Sequence, residues 1–271
     1  MRAFPEQRSY ASELPVFGGE VAGFDFLAHW HPDVELVHVL QGQITVGVGD
    51  QRARLGPGDL AVIASNEIHY YQREGAASRM RLVIFRPEAA GYPGIWPDQR
   101  RLASAYWRAG QTGAVPELLA RIVAEDSQDD GFRHRVLRGL VTQLGGWLDR
   151  DFTTAAEPAT GDRGPLRLRL AEAISFIRSG FQTDLTLEGV ARHVNLSPSY
   201  FSRSFQACCG TGFKTYLNAL RVEHAERLLA STNRTILDIA LECGFSSPRG
   251  LHRAFGRHRG LAPSGFRGLP F

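Results

Sequence analysis

No stretch of the 271 residues approaches the roughly 18–20 uninterrupted apolar positions needed to span a bilayer, so no membrane partner is expected. The opening residues, MRAFPEQRSYASELP, lack the apolar run of a secretory signal, and the cytoplasm is the expected compartment. Cysteine is scarce. Cys208, Cys209 and Cys243 are the three, and an odd count gathered at one end argues against a disulfide framework. They stand among helical apolar positions and are expected to be small, reduced core residues, with a redox pair at Cys208–Cys209 as the alternative. Lysine is nearly absent: Lys214 is the single one among 31 basic residues, which points to codon composition rather than mechanism. The rest is ordinary, with 43% hydrophobic, 22% charged and 10% aromatic residues, and this excludes disordered and fibrous classes. The length suits two compact domains or one large one.

The net charge of +3 hides an asymmetry. Residues 166–271 hold 14 Lys+Arg and 7 Asp+Glu, a net +7, whereas residues 1–165 hold 17 and 21, a net −4. A basic C-terminal third suggests a polyanionic partner.

The first ninety residues read as β. Phe24–His29, Val34–Leu40, Gln43–Gly49, Asp59–Ala64 and Met80–Phe85 are short, rich in branched or aromatic side chains, and separated by Gly, Pro and Asp. That pattern predicts a compact antiparallel sandwich or barrel. From about residue 98 the period becomes helical, through Leu118, Leu119, Ile122 and Val123, then Val136, Leu137, Leu140, Val141, Leu144, Trp147 and Leu148. These two amphipathic helices either cap the barrel or pair between subunits. Residues 153–165, TTAAEPATGDRGP, read as a linker, and everything after it as helical.

The last hundred residues repeat internally. Ala191, Val194 and Leu196 match Ala240, Cys243 and Phe245 at an offset of 49. From Ser197-Pro198, matching Ser247-Pro248, the offset is 50, and it carries Phe201, Arg203, Phe205 and Gly210 onto Leu251, Arg253, Phe255 and Gly260. Each copy has the anatomy of a helix-turn-helix. Thr186 and Thr235 cap a first helix, Thr235 with Asp238 fitting a capping box. Asn195 and Gly244 tolerate the backbone of a tight turn. Ser197 and Ser247 cap a second helix whose first residue is proline. On those second helices Phe201, Phe205, Leu251 and Phe255 form the inner faces. Ser199, Ser202 and Arg203, and Arg249, His252 and Arg253, form the outer faces. Side chains so placed near a helix N-terminus reach base edges in a major groove. A helix over Phe213–Ala230, about 27 Å long, would join the two copies so that the recognition helices approach the ~34 Å of one DNA turn.

With those residues in view, 166–267 resembles the DNA-binding domain of the AraC/XylS family of bacterial transcription regulators. The resemblance rests on Ala191, Ser197, Tyr200-Phe201, Arg203, Phe205, Gly210, Phe213, Tyr216-Leu217, Arg221-Val222, Ala225 and Leu228-Leu229. It continues through Ile236, Ile239-Ala240, Cys243-Gly244-Phe245, Arg253, Phe255, Gly260, Pro263 and Phe266-Arg267. It places the family's base-contacting positions on Ser199, Ser202, Arg203, Arg249, His252 and Arg253. Two departures stand out. Gly250 occupies a position where a larger side chain is usual, and Ser199 and Ser202 are short readers.

Residues 15–90 resemble the cupin barrels through Gly23, His29, His31, Glu35 and Gly42, and more loosely from Gly58 to His69, where Ala64 and Asn66 replace a proline and a glycine. His29 and His31 are two apart, so on a strand they share a face, which Glu35 and His69 can join. Three imidazoles and a carboxylate suit Zn, Fe, Ni, Cu or Mn, or hydrogen bonding to a small molecule without metal. His38 is out of phase and expected at the surface or in a structural role, and Trp30 is expected to face away from its flanking histidines.

The expected architecture is thus α+β and multidomain: a cupin-like effector-binding barrel over 1–95, a helical dimerisation or connecting segment over 96–152, a linker over 153–165, and an all-α domain with two helix-turn-helix units over 166–271. The expected function is transcription regulation controlled by a small-molecule effector, a carbohydrate being the first candidate. Promoter DNA, a second copy of the chain and RNA polymerase are the expected partners, and no catalytic set is expected. The alternative is a metal-dependent cupin enzyme fused to a DNA-binding module, with a facial triad from His29, His31 and Glu35 or His69.

Overall fold

The computed structural model describes residues 14–97, 100–155 and 163–267. The opening residues 1–13, and residues 156–162 of the expected linker, lie outside the described residues. The chain divides into two compact units, Met1–Arg163 and Gly164–Phe271.

The first unit runs β1 (Val16–Ala22), β2 (Phe26–His29), β3 (Val34–Val48), β4 (Gln51–Leu55), β5 (Leu60–Ile63) and β6 (His69–Phe85). It continues with a 3₁₀ turn at Pro87–Ala90, β7 (Arg100–Leu102), β8 (Tyr106–Trp107), α1 (Val115–Asp126), α2 (Arg133–Phe152) and β9 (Thr153–Ala155). The sheet order is β1-β6-β3-β5-β8, with β2 on β6 and β4 on β3, all antiparallel. The two segments expected as separate strands, Val34–Leu40 and Gln43–Gly49, are one long β3. A bulge interrupts it: between Val39 and Gln41 it carries one residue more than β6, and the register shifts again between Gln41 and Gln43, where Gly42 takes φ 71°. An extra residue in one strand reverses the parity of everything beyond it. Val37 and Val39 before the bulge, and Ile44 and Val46 after it, therefore all face one interior cluster with Leu55, Ile63, Tyr71, Met80, Leu82 and Ile84.

The opposite face of the sheet, carrying Leu36, Leu60, Val62, Val83 and Phe85, packs against Leu118, Leu119 and Ile122 of α1 and Leu137, Leu140, Val141, Leu144 and Leu148 of α2. The helices' apolar stripes thus cap the sheet. Periodicity missed β1, β4 and the first half of β6, as well as β8, which adds to β5, and β7, which pairs with β9 inside the stretch expected as helix and linker. Asp149 of α2 accepts from Trp96 Nε1 at 2.9 Å and from the Tyr92 hydroxyl at 2.7 Å, fixing the segment after the sheet to the helix.

The second unit is helical: α3 (Arg163–Gly180), α4 (Leu187–His193), α5 (Pro198–Cys209), α6 (Phe213–Ser231), α7 (Ile236–Glu242), α8 (Pro248–Arg259) and α9 (Pro263–Phe266). The first half of α6 contributes Phe213 and Tyr216 to an aromatic cluster with Phe201 and Phe205 of α5. The second half contributes Val222, Ala225 and Leu229 to a core with Ile239, Ala240, Leu251 and Phe255. One helix therefore serves two small cores. Cys208, Cys209 and Cys243 are free and buried, and burial first of all pushes the Cys209 thiol well above its ordinary range. An un-ionised buried thiol is a core residue, not a redox group. Among the described residues no helix is long and apolar enough to cross a membrane.

Candidate functional site

Two constellations carry chemistry, one in each unit. In the first, His29 ends β2, His31 follows in the turn, Glu35 lies on β3 and His69 opens β6. Pairing of His29 with His69 across β2 and β6 brings the imidazoles together, with ring centroids 4.1 Å apart. All four side chains are buried, and their ligand atoms lie within 4.8 Å of one another. The turn after β5 is tied to the site through its backbone. Asn66, standing where the cupin pattern has glycine, takes φ 62° and donates its backbone N–H to the His31 carbonyl at 2.9 Å. Asparagine is among the few residues that hold this left-handed backbone, so the departure keeps the turn.

The tautomers follow from the partners. Nδ1 of His29 faces the Leu27 carbonyl at 3.0 Å, and Nδ1 of His69 faces the Glu67 carbonyl at 2.9 Å. A carbonyl only accepts, so Nδ1 carries a proton in both rings, and in a neutral ring so oriented Nε2 is a lone pair. Nε2 of His31 bonds Glu35 Oε2 at 2.9 Å, and the Tyr71 hydroxyl donates to Oε1 at 2.5 Å. His69 Nε2 lies 3.5 Å from Oε2, too long for a good hydrogen bond, and with His31 Nδ1 it is a buried nitrogen without a hydrogen-bond partner. Burial, reinforced by the adjacent His69, holds the His29 imidazole well below its ordinary range, so it is neutral. For Glu35 burial opposes ionisation, but the hydrogen bond from His31 and the electrostatic influence of the adjacent His69 and His31 outweigh it and hold the carboxyl well below the ordinary carboxylate range. A lone pair and a carboxylate oxygen facing each other in a buried site require positive charge between them, from a proton or a metal ion. Backbone carbonyls on the outer nitrogens are also how proteins orient metal-binding imidazoles. The donor set fits a divalent transition metal.

Tyr71 was missed in the sequence, although it stands two residues after His69 on one strand and so shares its face. His38 is not at the surface. It is buried, sharing its face of β3 with Leu36, away from Glu35, so of its two expected placements only the structural one holds. Trp30 is half-buried.

The second constellation is the pair of helix-turn-helix units. The caps form as the sequence predicts: Thr186 accepts from Gly189 N, Ser197 from Tyr200 N, Thr235 from Asp238 N and Ser247 from Gly250 N. The Asp238 carboxylate accepts from the Thr235 hydroxyl at 2.7 Å, a variant of the expected box. Asn195 and Gly244 take φ 54° and 81° in the two turns. The inner faces are as expected, with Phe201, Phe205, Leu251 and Phe255 fully buried. On the outer faces Ser199, Arg203, Arg249, His252 and Arg253 are exposed, and Ser202 is half-buried.

Residues 19–85 match the cupin domain family and residues 190–268 the helix-turn-helix domain family. Over 255 residues the chain is 24% identical to the melibiose operon regulatory protein of Escherichia coli strain K12, covering 89% of this chain and 83% of that one. Over 252 residues it is 27% identical to the HTH-type transcriptional activator RhaR of Klebsiella pneumoniae, covering 89% and 87%. Among solved structures, the C-terminal domain of AraT, a response regulator from Geobacillus stearothermophilus, is 35% identical with a TM-score of 0.36, covering 36% of this chain and 83% of that one. These curated relatives are transcription regulators and give no support to the enzyme alternative. The chain belongs to the AraC/XylS family of DNA-binding transcription regulators, with a cupin-type domain ahead of two helix-turn-helix units.

Proposed function

We propose that the cupin unit senses its effector at the His29, His31, Glu35 and His69 cluster, that these residues hold a divalent transition metal, and that α5 and α8 read promoter DNA. The observation that carries the sensing site is the convergence of four buried donors within 4.8 Å, two of whose nitrogens have no hydrogen-bond partner. When bound, the metal supplies a Lewis-acidic point to which oxygen atoms of an effector can bind. The protein's own groups orient it: Tyr71 and His31 fix Glu35, and the Leu27 and Glu67 carbonyls fix two imidazoles. The melibiose operon regulator's name supports a carbohydrate as the effector class.

In the second unit, Arg203, Arg249, His252 and Arg253 supply donors for base edges and phosphates, and Ser199 and Ser202 supply short contacts. A second copy of the chain is the proposed partner, through the start of α2, where Phe132 and Val136 remain exposed after the helices have covered the sheet. RNA polymerase is proposed as the partner at the promoter, and the cytoplasm as the compartment. Titration of full-length protein against its selected DNA site, with and without a panel of mono- and disaccharides, tests the reading. A sugar that shifts DNA affinity in the wild type but not in Glu35→Gln is the expected result. A response retained in Glu35→Gln would place the effector elsewhere.

A further inference from the structure

The two turns of the repeat are not equivalent. In the first, Asn195 holds the left-handed position with a full side chain, and its carbonyl accepts from Arg169 at 3.1 Å. In the second, a Cβ on Gly244 would meet the Gln182 carbonyl oxygen at 2.7 Å and the Phe181 carbonyl oxygen at 3.0 Å. Glycine is needed there because the backbone of the loop between α3 and α4, part of the first module, lies directly against the turn of the second. Arg221, on the helix that joins the modules, holds that loop. Its Nε donates to the Phe181 carbonyl and its Nη2 to the Thr183 carbonyl, both at 2.8 Å, while its guanidinium lies 5.6 Å from the Phe245 ring beside Gly244. Next to it, His224 sets its ring edge against Phe181, with Nε2 3.3 Å from Gln182 Nε2.

We infer that Arg221 and Gly244 form a clamp that fixes the second reading helix relative to the first, and so sets the DNA spacing the chain accepts. The physics is that of a planar fork. Two charge-assisted hydrogen bonds from one guanidinium define both the position and the direction of the loop, which a lysine's single rotating ammonium does not. α8 starts four residues after Gly244, so its position follows that of the turn. Without the clamp, α6 alone joins the modules and each reads its own bases with a looser distance between them. Arg221 is therefore a positioning residue for specificity and touches no base. This rests on the assignment of α5 and α8 as the readers.

The test uses full-length protein and a duplex selected by it from a randomised pool, together with duplexes in which one base pair is inserted or deleted between the two contacted segments. Wild-type protein is expected to lose about ten-fold or more in affinity for the altered spacings, the scale of a disrupted site. In Arg221→Ala and Arg221→Lys that penalty is expected to fall to about three-fold or less, with the base preference within each segment unchanged. A merely structural role would lower affinity for all duplexes alike and leave the ratio intact. Should Arg221→Ala unfold, Arg221→Lys, which keeps the charge and the helix, carries the comparison. A spacing penalty equal to wild type in a folded Arg221→Lys protein would overturn the clamp. Wild-type protein indifferent to spacing would overturn the two-reader assignment beneath it.

Discussion

Residue by residue, the chemistry is set by what each group is denied. His69 and His29 have their outer nitrogens taken by carbonyls, so only Nε2 remains to face Glu35. Arg203, Arg249 and Arg253 are exposed and form no ion pair with any described residue, which keeps their donors available to a polyanion. Replacing Arg253 with Ala is expected to weaken binding to the selected site by about 1–3 kcal/mol and to relax one base position. Competition binding with single-base variants of that site checks this, and an unchanged base preference would remove Arg253 from the readers. Gly250 makes a different kind of prediction. An added Cβ would sit 3.5 Å from Phe245 Cδ1 and 3.8 Å from Ser247 Oγ, ordinary contact, so nothing in the packing demands glycine there. Gly250→Ala is expected to stabilise the C-terminal unit by about 0.5–1 kcal/mol, through the unfolded chain's lost freedom. Thermal unfolding that is unchanged or lowered would show that the backbone of α8 needs glycine for a reason beyond space.

At the scale of elements, what could be read in advance depended on whether the signal was local. The second unit was legible because helix caps, prolines at the first helical turn and left-handed turn residues are local devices, and the repeat displayed them twice. The residues of the donor cluster were legible from their types, but the expected reason held only in part: His31 lies in the turn after β2 and not on the strand with His29. The sheet was less so. Gln41-Gly42-Gln43 resembles a turn and lies in the bulged part of one continuous strand, because whether a glycine ends a strand or bends it depends on the neighbouring strand. The polar residues Gln72, Arg73 and Glu74 hid the first half of β6, since a strand with one side toward water carries polar residues without ceasing to pair. β7 and β9 are three residues each and carry no periodicity to read. Asn66 shows the reverse case: a departure from the cupin pattern that keeps the turn geometry.

As a whole, the molecule carries four converging buried donors in its first unit and, in its second, two helix-turn-helix units built on a single shared helix. Because the readers, their caps and the clamp all lie in Gly164–Phe271, residues 166–271 alone are expected to bind DNA weakly yet select the same sequence as the full chain. Selection from a randomised pool by both proteins compares them, and a different preferred sequence would mean that the first unit contributes to base reading. The central claim, that the buried cluster is a metal-bearing sensor site, is tested most directly by elemental mass spectrometry of the full-length protein purified without chelator, beside the folded variant His31→Ala. About one divalent transition metal per chain, lost from the variant, is the result the account predicts. Metal-free wild-type protein that still binds its DNA would contradict it and leave the three imidazoles and Glu35 as hydrogen-bonding groups for an organic ligand.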